Sequence, residues 1–203
     1  MSVKSSGLAV GAVVLAAGQS RRMGTPKMLL PWGDTTVIGR VARLLKDAGV
    51  AQMVVVTGAN RTEVEAALQE EEILLAHNSQ YQRGEMLTSL QVGLHALRED
   101  IQAALVVLGD QPQIEGQVVR QITERAGESA QPLVVPSYQK RRGHPWLVRR
   151  ALWSELYAMD GERETLRDFL NRRAQQIEYV NVDTGSVLLD LDTPEDYQSQ
   201  RPD

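Results

Sequence analysis

The chain has 203 residues, enough to bury a substantial hydrophobic core, and nothing in its length or composition calls for a second domain. Its 22 Lys plus Arg stand against 26 Asp plus Glu, a net charge of -4, so no basic field exists to hold a nucleic-acid backbone. Cysteine is absent, which excludes disulfides, thiolate metal sites, iron–sulfur clusters and a cysteine nucleophile; the three histidines, His77, His95 and His144, form no local ligand pair, so any metal is expected on oxygen.

The expectation is therefore one domain over residues 1–203, with disordered ends at 1–7 and 199–203, and no nucleic-acid partner. No apolar run approaches the roughly 20 residues that span a bilayer. The amino terminus, MSVKSSG, lacks the apolar centre of a signal peptide, so the expected location is the cytoplasm, with no membrane association.

Along the chain, aliphatic runs recur as AVGAVVLAA, AQMVVVTG, EILLAHN, AALVVLGD and PLVVP, with IEYVNVD and VLLDLD near the end. Helical spacing lies between most of them, over residues 36–48, 61–71, 85–99 and 115–126, and again in shorter form over 151–158 and 165–174. Thr36 or Asp34 caps the first helix and Asn60 the second, while Gly49 and Gly127 follow the first and fourth. YQKRRGHPWLV reads as a turn or hairpin leading into a further strand. Alternation of this kind predicts an α/β fold, a Rossmann-like three-layer arrangement on a mostly parallel sheet, with ligands at the carboxyl ends of the strands.

The first strand runs into LAAGQSRRMGTPKMLLPWG at residues 15–33. Gly18 lets the backbone pass close to a ligand, and Ser20, Arg22 and Lys27 supply hydroxyl and cationic donors suited to phosphate oxygens. The segment is neither a P-loop nor a Gly-x-Gly-x-x-Gly turn, and the second strand ends in Thr57-Gly58 instead of a ribose-binding acid. Several fixed cations suit a reaction in which negative charge grows on a phosphoryl group. A solvated basic loop is the plainer alternative.

The fourth strand ends in LVVLGDQP, where Asp110 reads either as a carboxylate for Mg2+ or as a turn residue. In VLLDLDTPED, strand alternation puts Asp190 and Asp192 on one face and Leu189 and Leu191 on the other. Asp192 or Thr193 reads as an N-cap ahead of Pro194, and since Asp192 is as readily a cap as a ligand, Asp190 is the better ligand candidate.

Together these residues resemble the MobA-like nucleotidyltransferases, and within them the molybdenum cofactor cytidylyltransferase branch. LAAGQSRRMGTPK matches that branch's Leu/Thr-Ala-Ala-Gly-x-Ser-x-Arg-Met-Gly-x-x-Lys, where the guanylyltransferase branch typically has Gly-Gly and an Asp before its lysine. MLLPW, VVTG, HNSQYQRGEMLTS, GDQP, GHPWLV and LLDLDTPEDY follow in the family's order. The resemblance implies transfer of CMP from CTP to the phosphate of molybdopterin, with or without molybdenum, releasing pyrophosphate. It also implies the likeness's usual cofactor, Mg2+ with Mn2+ as an accepted substitute.

Carried onto this sequence, the resemblance implies nucleotide contacts at Leu15, Ala16, Ala17, Gly18, Ser20, Arg22, Gly24, Lys27, Thr57, Gly58, Gly84, Thr88 and Ser89. Arg22, Lys27 and Asp110 are the implied catalytic residues, and Asp110 with Asp190 or Asp192 the implied metal ligands. Gly143, His144 and Pro145 fall where the family places the pterin; Gly84 also reads as a helix-start residue and His144 also as a structural histidine. One departure touches the acceptor: many relatives carry Gly-Asp-x-Gly-x-Arg where this chain has MDGERETLR at 159–167. Three readings follow: the cytidylyltransferase; a transferase using GTP, another NTP or another phosphorylated acceptor such as a sugar phosphate; and a non-catalytic carrier of the finished cofactor. The implied protein partner is a molybdoenzyme or its dedicated chaperone.

Overall fold

The computed structural model describes residues 7–69, 71–82 and 86–202. The first strand, β1 (Val10–Ala16), is buried along its whole length, as a short aliphatic run covered on both faces should be. A single 3-10 turn at Lys27–Leu29 leads into a small antiparallel ribbon of β2 (Pro31–Trp32) and β3 (Thr35–Thr36). Helix α1 (Val37–Asp47) follows directly; Thr36 caps it, its hydroxyl accepting from the Gly39 amide at 3.1 Å, while Asp34 pairs instead with Arg43. The chain continues through β4 (Gln52–Thr57), α2 (Arg61–Ala67), β5 (Leu74–His77), α3 (Met86–Ala96), β6 (Ala103–Leu108) and α4 (Gly116–Glu128). It then passes through β7 (Leu133–Tyr138), β8 (Arg141–Arg142), β9 (Trp146–Arg149), α5 (Trp153–Ala158), α6 (Leu166–Arg172), β10 (Ile177–Asn181) and α7 (Pro194–Gln200).

The main sheet has the order β10-β7-β9-β6-β1-β4-β5, with β8 paired to β7. Strands β1, β4, β5, β6, β7 and β10 run one way and β8 and β9 the other, so the sheet is mixed but mostly parallel. Strand pleating splits the core into two layers. From β1, Ala12 and Val14 face α1 and α4, which contribute Val41, Leu45, Val119 and Ile122. Val13 and Leu15 face the other way, toward Leu90 and Leu94 of α3 and Phe169 of α6. The result is a three-layer sandwich.

From β1 the chain steps outward through β4 to β5, then returns across the sheet to β6 on the other side of β1. Such a reversal opens a crevice at the carboxyl ends of the two strands that straddle it. Here those ends are Leu15 of β1 and Leu108 of β6, which are register partners.

Four local expectations change. Asn60 stands at the start of α2 but its side chain makes no capping hydrogen bond. Gly127 lies inside α4, which continues to Glu128 with Ser129 as its end. VLLDLD is not a strand: a 3-10 turn at Gly185–Leu188 precedes an irregular extended segment. The carboxyl end is helical through Gln200, because Thr193 and Asp196 form a reciprocal capping box with Pro194 in the first turn. The expected hairpin at YQKRR is present, closed by Gln139 and Lys140 at φ 49° and 65°, the left-handed conformation that suits a two-residue turn between twisted strands. No described helix is long and apolar enough to cross a membrane.

Two glycines in helices should respond oppositely to alanine. A methyl at Gly93 of α3 would collide with Val13 and Val56, whereas at Gly127 it meets nothing within 4 Å. Gly93→Ala is expected to lower stability by about 1–3 kcal/mol through overpacking, and Gly127→Ala to raise it by about 0.5–1 kcal/mol through helix propensity. Denaturant midpoints of the two variants check both signs.

Candidate active site

The loop leaving β1 is shaped by its own backbone. Ser20 adopts φ 51°, and its carbonyl accepts from the amides of Met23 and Gly24, each at 3.1 Å. Gly24 sits at φ 69°, a conformation that favours glycine. The Ser20 hydroxyl accepts from the Lys27 amide at 3.1 Å, so this residue folds the loop that presents Lys27. Met23 pins the loop from below, buried with Trp32, Val37 and Leu191. Above Gly18 the space is open, with nothing within 4 Å of an added Cβ, whereas one on Gly58 would collide with the backbone of Ala17. Gly58 is therefore required by the close passage of two loops, while Gly18 leaves room for a ligand.

At the crevice the cations meet carboxylates. The Lys27 ammonium donates to Asp110 Oδ2 and, at 3.2 Å, to Asp192 Oδ1. Arg22 completes the cluster, its guanidinium 2.9 Å from Asp192 Oδ2. The side chains of Lys27 and Asp110 are only 11% and 15% exposed, so this pair sits where charge is poorly screened; Arg22, at 71%, remains in solvent. Burial works against the Lys27 charge, but Asp110 and Asp192 outweigh it and hold the ammonium above the usual lysine range.

The third carboxylate is held differently. Gln111, almost wholly buried, donates through Nε2 to Asp190 Oδ1 at 2.6 Å. Gln113 donates to the Leu189 carbonyl, and the Leu191 amide donates to the Asp110 carbonyl at 3.2 Å. The loop after β6 thus clips the irregular 189–191 segment to itself, and this is what brings the carboxyl-terminal region to the crevice. The inner half of the Asp190 carboxyl is desolvated, which raises its pKa; Gln111 opposes the rise, and neighbouring Asp110 and Asp192 add to it. Its outer edge stays exposed.

Two expectations about this segment are corrected. Leu189 and Leu191 do not share a face: Leu191 is fully buried, Leu189 is 43% exposed. Asp192 is not the cap of α7, because Thr193 takes that role and accepts from the Asp196 amide at 3.2 Å. Asp192 is left free for the cations.

The crevice encloses about 450 Å³. Leu15, Ala17, Gly18, Arg22, Lys27, Ser89, Asp110, Asp190 and Asp192 line it, as the sequence suggested, together with Met28, Tyr81, Met86 and Leu108, which it did not single out. Ala16, Ser20, Gly24, Gly58 and Thr88 do not line it. Thr57 is fully buried and donates its hydroxyl to the Ala76 carbonyl at 3.3 Å, so its side chain serves the sheet. Gly84 lies outside the described residues.

Behind Ser89 stands a residue that the sequence reading passed over. Asn78, directly after β5 and 2% exposed, donates to the hydroxyls of Thr88 and Ser89 at 3.1 and 3.0 Å, and its own amide donates to the Thr57 carbonyl at 2.9 Å. It ties the end of β4 to the first turn of α3. Gly161, from the divergent 159–167 stretch, packs so closely on Thr88 that a Cβ there would collide with it.

Gly143, His144 and Pro145 are not part of the crevice wall. Gly143 packs against the carbonyl of Val187, the His144 amide donates to that carbonyl at 2.9 Å, and Pro145 faces Val41, Leu44 and Val107 in the layer beneath the sheet. Desolvation lowers the His144 pKa to about 4, so its imidazole is neutral near pH 7. Nor are the three aspartates gathered as a cation cage: among the described residues no group of three or more His, Asp or Glu side chains is set to hold a metal ion. Lys27 holds two of the three carboxylates and Gln111 the other.

The MobA-like NTP transferase domain matches residues 12–177, most of the chain. The chain belongs to the MobA-like NTP transferase family. It is 26% identical to the molybdenum cofactor cytidylyltransferase of Escherichia coli strain K12, over 93% of this chain and 94% of that one. It is 27% identical to the nicotine blue oxidoreductase of Paenarthrobacter nicotinovorans, over 92% and 93%. Among solved structures, Rv0371c of Mycobacterium tuberculosis H37Rv superposes with a TM-score of 0.83 at 30% identity, covering 94% of this chain and 96% of that one; another structure of it is a manganese complex. The MobA-like match ends at the first residue of β10, so Asp190 and Asp192 lie beyond it.

Asn78 offers a test of how this MobA-like crevice is held. Asn78→Ala removes the hydrogen bonds that Asn78 donates to the Thr88 and Ser89 hydroxyls and the one its Oδ1 accepts from the Gln80 amide, and the expected loss of stability is about 1–3 kcal/mol. Chemical denaturation measures it; a loss below about 0.5 kcal/mol would mean that the tie between β4 and α3 is not needed.

Proposed function

We propose that the protein is a metal-dependent cytidylyltransferase that transfers CMP from CTP to the phosphate of molybdopterin, releasing pyrophosphate, in the cytoplasm. The observation that carries this reading is the Lys27–Asp110–Asp192 cluster beside the open face of Gly18, at the strand ends where the sheet reverses. Cations on long stems beside partly buried carboxylates suit a triphosphate and its metal.

In the proposed reaction an oxygen of the acceptor's phosphate forms a bond to the α-phosphorus of CTP. The bond from that phosphorus to the bridging oxygen breaks, and pyrophosphate leaves with the electron pair. A phosphate monoester is already ionised near neutral pH, so no strong general base is needed and the protein acts by alignment and charge stabilisation. Lys27 and Arg22 would face the oxygens on which charge accumulates, with Lys27 fixed at its backbone by Ser20. Ser89, held by Asn78, and the open face of Gly18 would border the nucleotide.

Though not gathered into a cage, the Asp110, Asp190 and Asp192 carboxylates line one crevice and are the oxygen donors that a hard cation takes, close enough for Asp190 to feel the charges of the other two. Asp110 with Asp190 or Asp192 would hold Mg2+, or Mn2+ in its place. When bound, the ion supplies charge neutralisation on the phosphate oxygens. The acceptor assignment rests on the cytidylyltransferase likeness, and delivery to a molybdoenzyme or its chaperone would follow from it.

Pyrophosphate release with molybdopterin, Mg2+ and each of the four NTPs tests the reading. Release with CTP alone is expected; release with GTP alone would move the protein to guanylyl transfer, and silence with all four would overturn the reaction. Asp110→Asn and Lys27→Ala should each lower kcat by at least about 100-fold while the chain stays folded. Near wild-type turnover in either variant would remove that residue from the mechanism.

A further inference from the structure

Lys27 bears on metal binding as well as on the reaction. Its ammonium lies between Asp110 and Asp192, two of the three carboxylates that the proposed reaction offers the metal; the third, Asp190, is held by the neutral Gln111 amide. Lys27, Asp110 and Asp192 are mostly shielded from water, with side-chain exposures of 11%, 15% and 32%. Arg22 adds a second positive charge on the outer oxygen of Asp192. An incoming divalent cation would therefore meet two carboxylates that are already neutralised, Asp190 alone lacking a cationic partner, and a fixed positive charge within contact distance.

We propose that Lys27 is the resting counter-ion of the metal position, so that the crevice refuses a free divalent cation and admits one only together with a triphosphate. The proposal rests on the nucleotidyl-transfer reading for the identity of the triphosphate, though not for the charge arrangement itself.

The chain is built for such an exchange. The Lys27 backbone is anchored by the Ser20 hydroxyl and by the Lys27–Leu29 turn, while its four-carbon stem can swing without moving either. A triphosphate entering above Gly18 offers oxygens that compete with Asp110 and Asp192 for the ammonium. Once Lys27 and Arg22 turn toward the phosphates, the two aspartates are uncompensated buried charges, and a hard cation becomes the group that stabilises them. Metal and triphosphate thus bind cooperatively without a change of fold, because each removes the charge that opposes the other. A lysine at this position also keeps the resting crevice from collecting metal that has no substrate to act on.

The test is a titration of the full chain with Mn2+ in the absence of nucleotide, read by electron paramagnetic resonance as the loss of free-ion signal. Wild type and Lys27→Arg, which keeps the charge, should bind weakly and alike. Lys27→Met and Lys27→Gln should bind at least about tenfold more tightly, and adding Asp110→Asn to Lys27→Met should abolish the gain. Inorganic tripolyphosphate added to wild type should produce a protein-bound manganese signal. Equal Mn2+ affinity in wild type and in both neutral variants would overturn the proposal, as would no bound signal with tripolyphosphate. The titration uses no base and no acceptor, so a failed pyrophosphate assay leaves its result standing, and the reverse also holds.

Discussion

The structure of the crevice depends on one shared ammonium. Lys27 reaches Asp110, 83 positions away, and Asp192, 165 positions away, and no local element brings these three together. Charges this poorly screened favour being paired. The geometry that pairs them is therefore maintained by the whole sheet: β1 delivers the loop of Lys27, its neighbour β6 delivers Asp110, and the segment past β10 is led back across the crevice to deliver Asp192.

Each delivery has its own support. The Lys27 loop is folded by Ser20 and pinned by Met23 in a small apolar cluster with Trp32 and Leu191. The Asp192 segment is clipped by Gln111 and Gln113 and ends at the α7 capping box. Tyr197 of α7 donates to the Pro31 carbonyl at 2.7 Å, so the carboxyl-terminal helix also touches the ribbon that follows Lys27. Leu191, between two cleft aspartates, is fully buried in that same cluster. The apolar side chain fixes the segment and its polar neighbours are left to face the ligand space.

The order of strands and helices was legible because aliphatic runs of strand length alternate with 3.6-residue periodicity, a pattern that tertiary contacts seldom override. The residues of the Lys27 loop and Asp110 were legible because both follow apolar runs that end at the crevice. What escaped the sequence depends on contacts between distant parts. VLLDLD carries a strand's alternation, but it finds no partner strand and is held by glutamine side chains from the β6 loop instead. Nothing in GDQP or HNSQ singles out Gln111 or Asn78, which the fold buries. The packing of Gly143 on Val187 and of Pro145 on the α1–α4 layer is likewise set by distant parts of the chain.

A crystal structure of the chain with Mg2+ and a CTP analogue carrying a methylene bridge between the α- and β-phosphorus tests the central claim most directly. The account predicts that the Lys27 ammonium leaves Asp110 and Asp192 for the triphosphate oxygens above Gly18, with the metal taken up by Asp110 and one of the two later aspartates. A triphosphate bound elsewhere, with the Lys27–Asp110 pair intact, would contradict it.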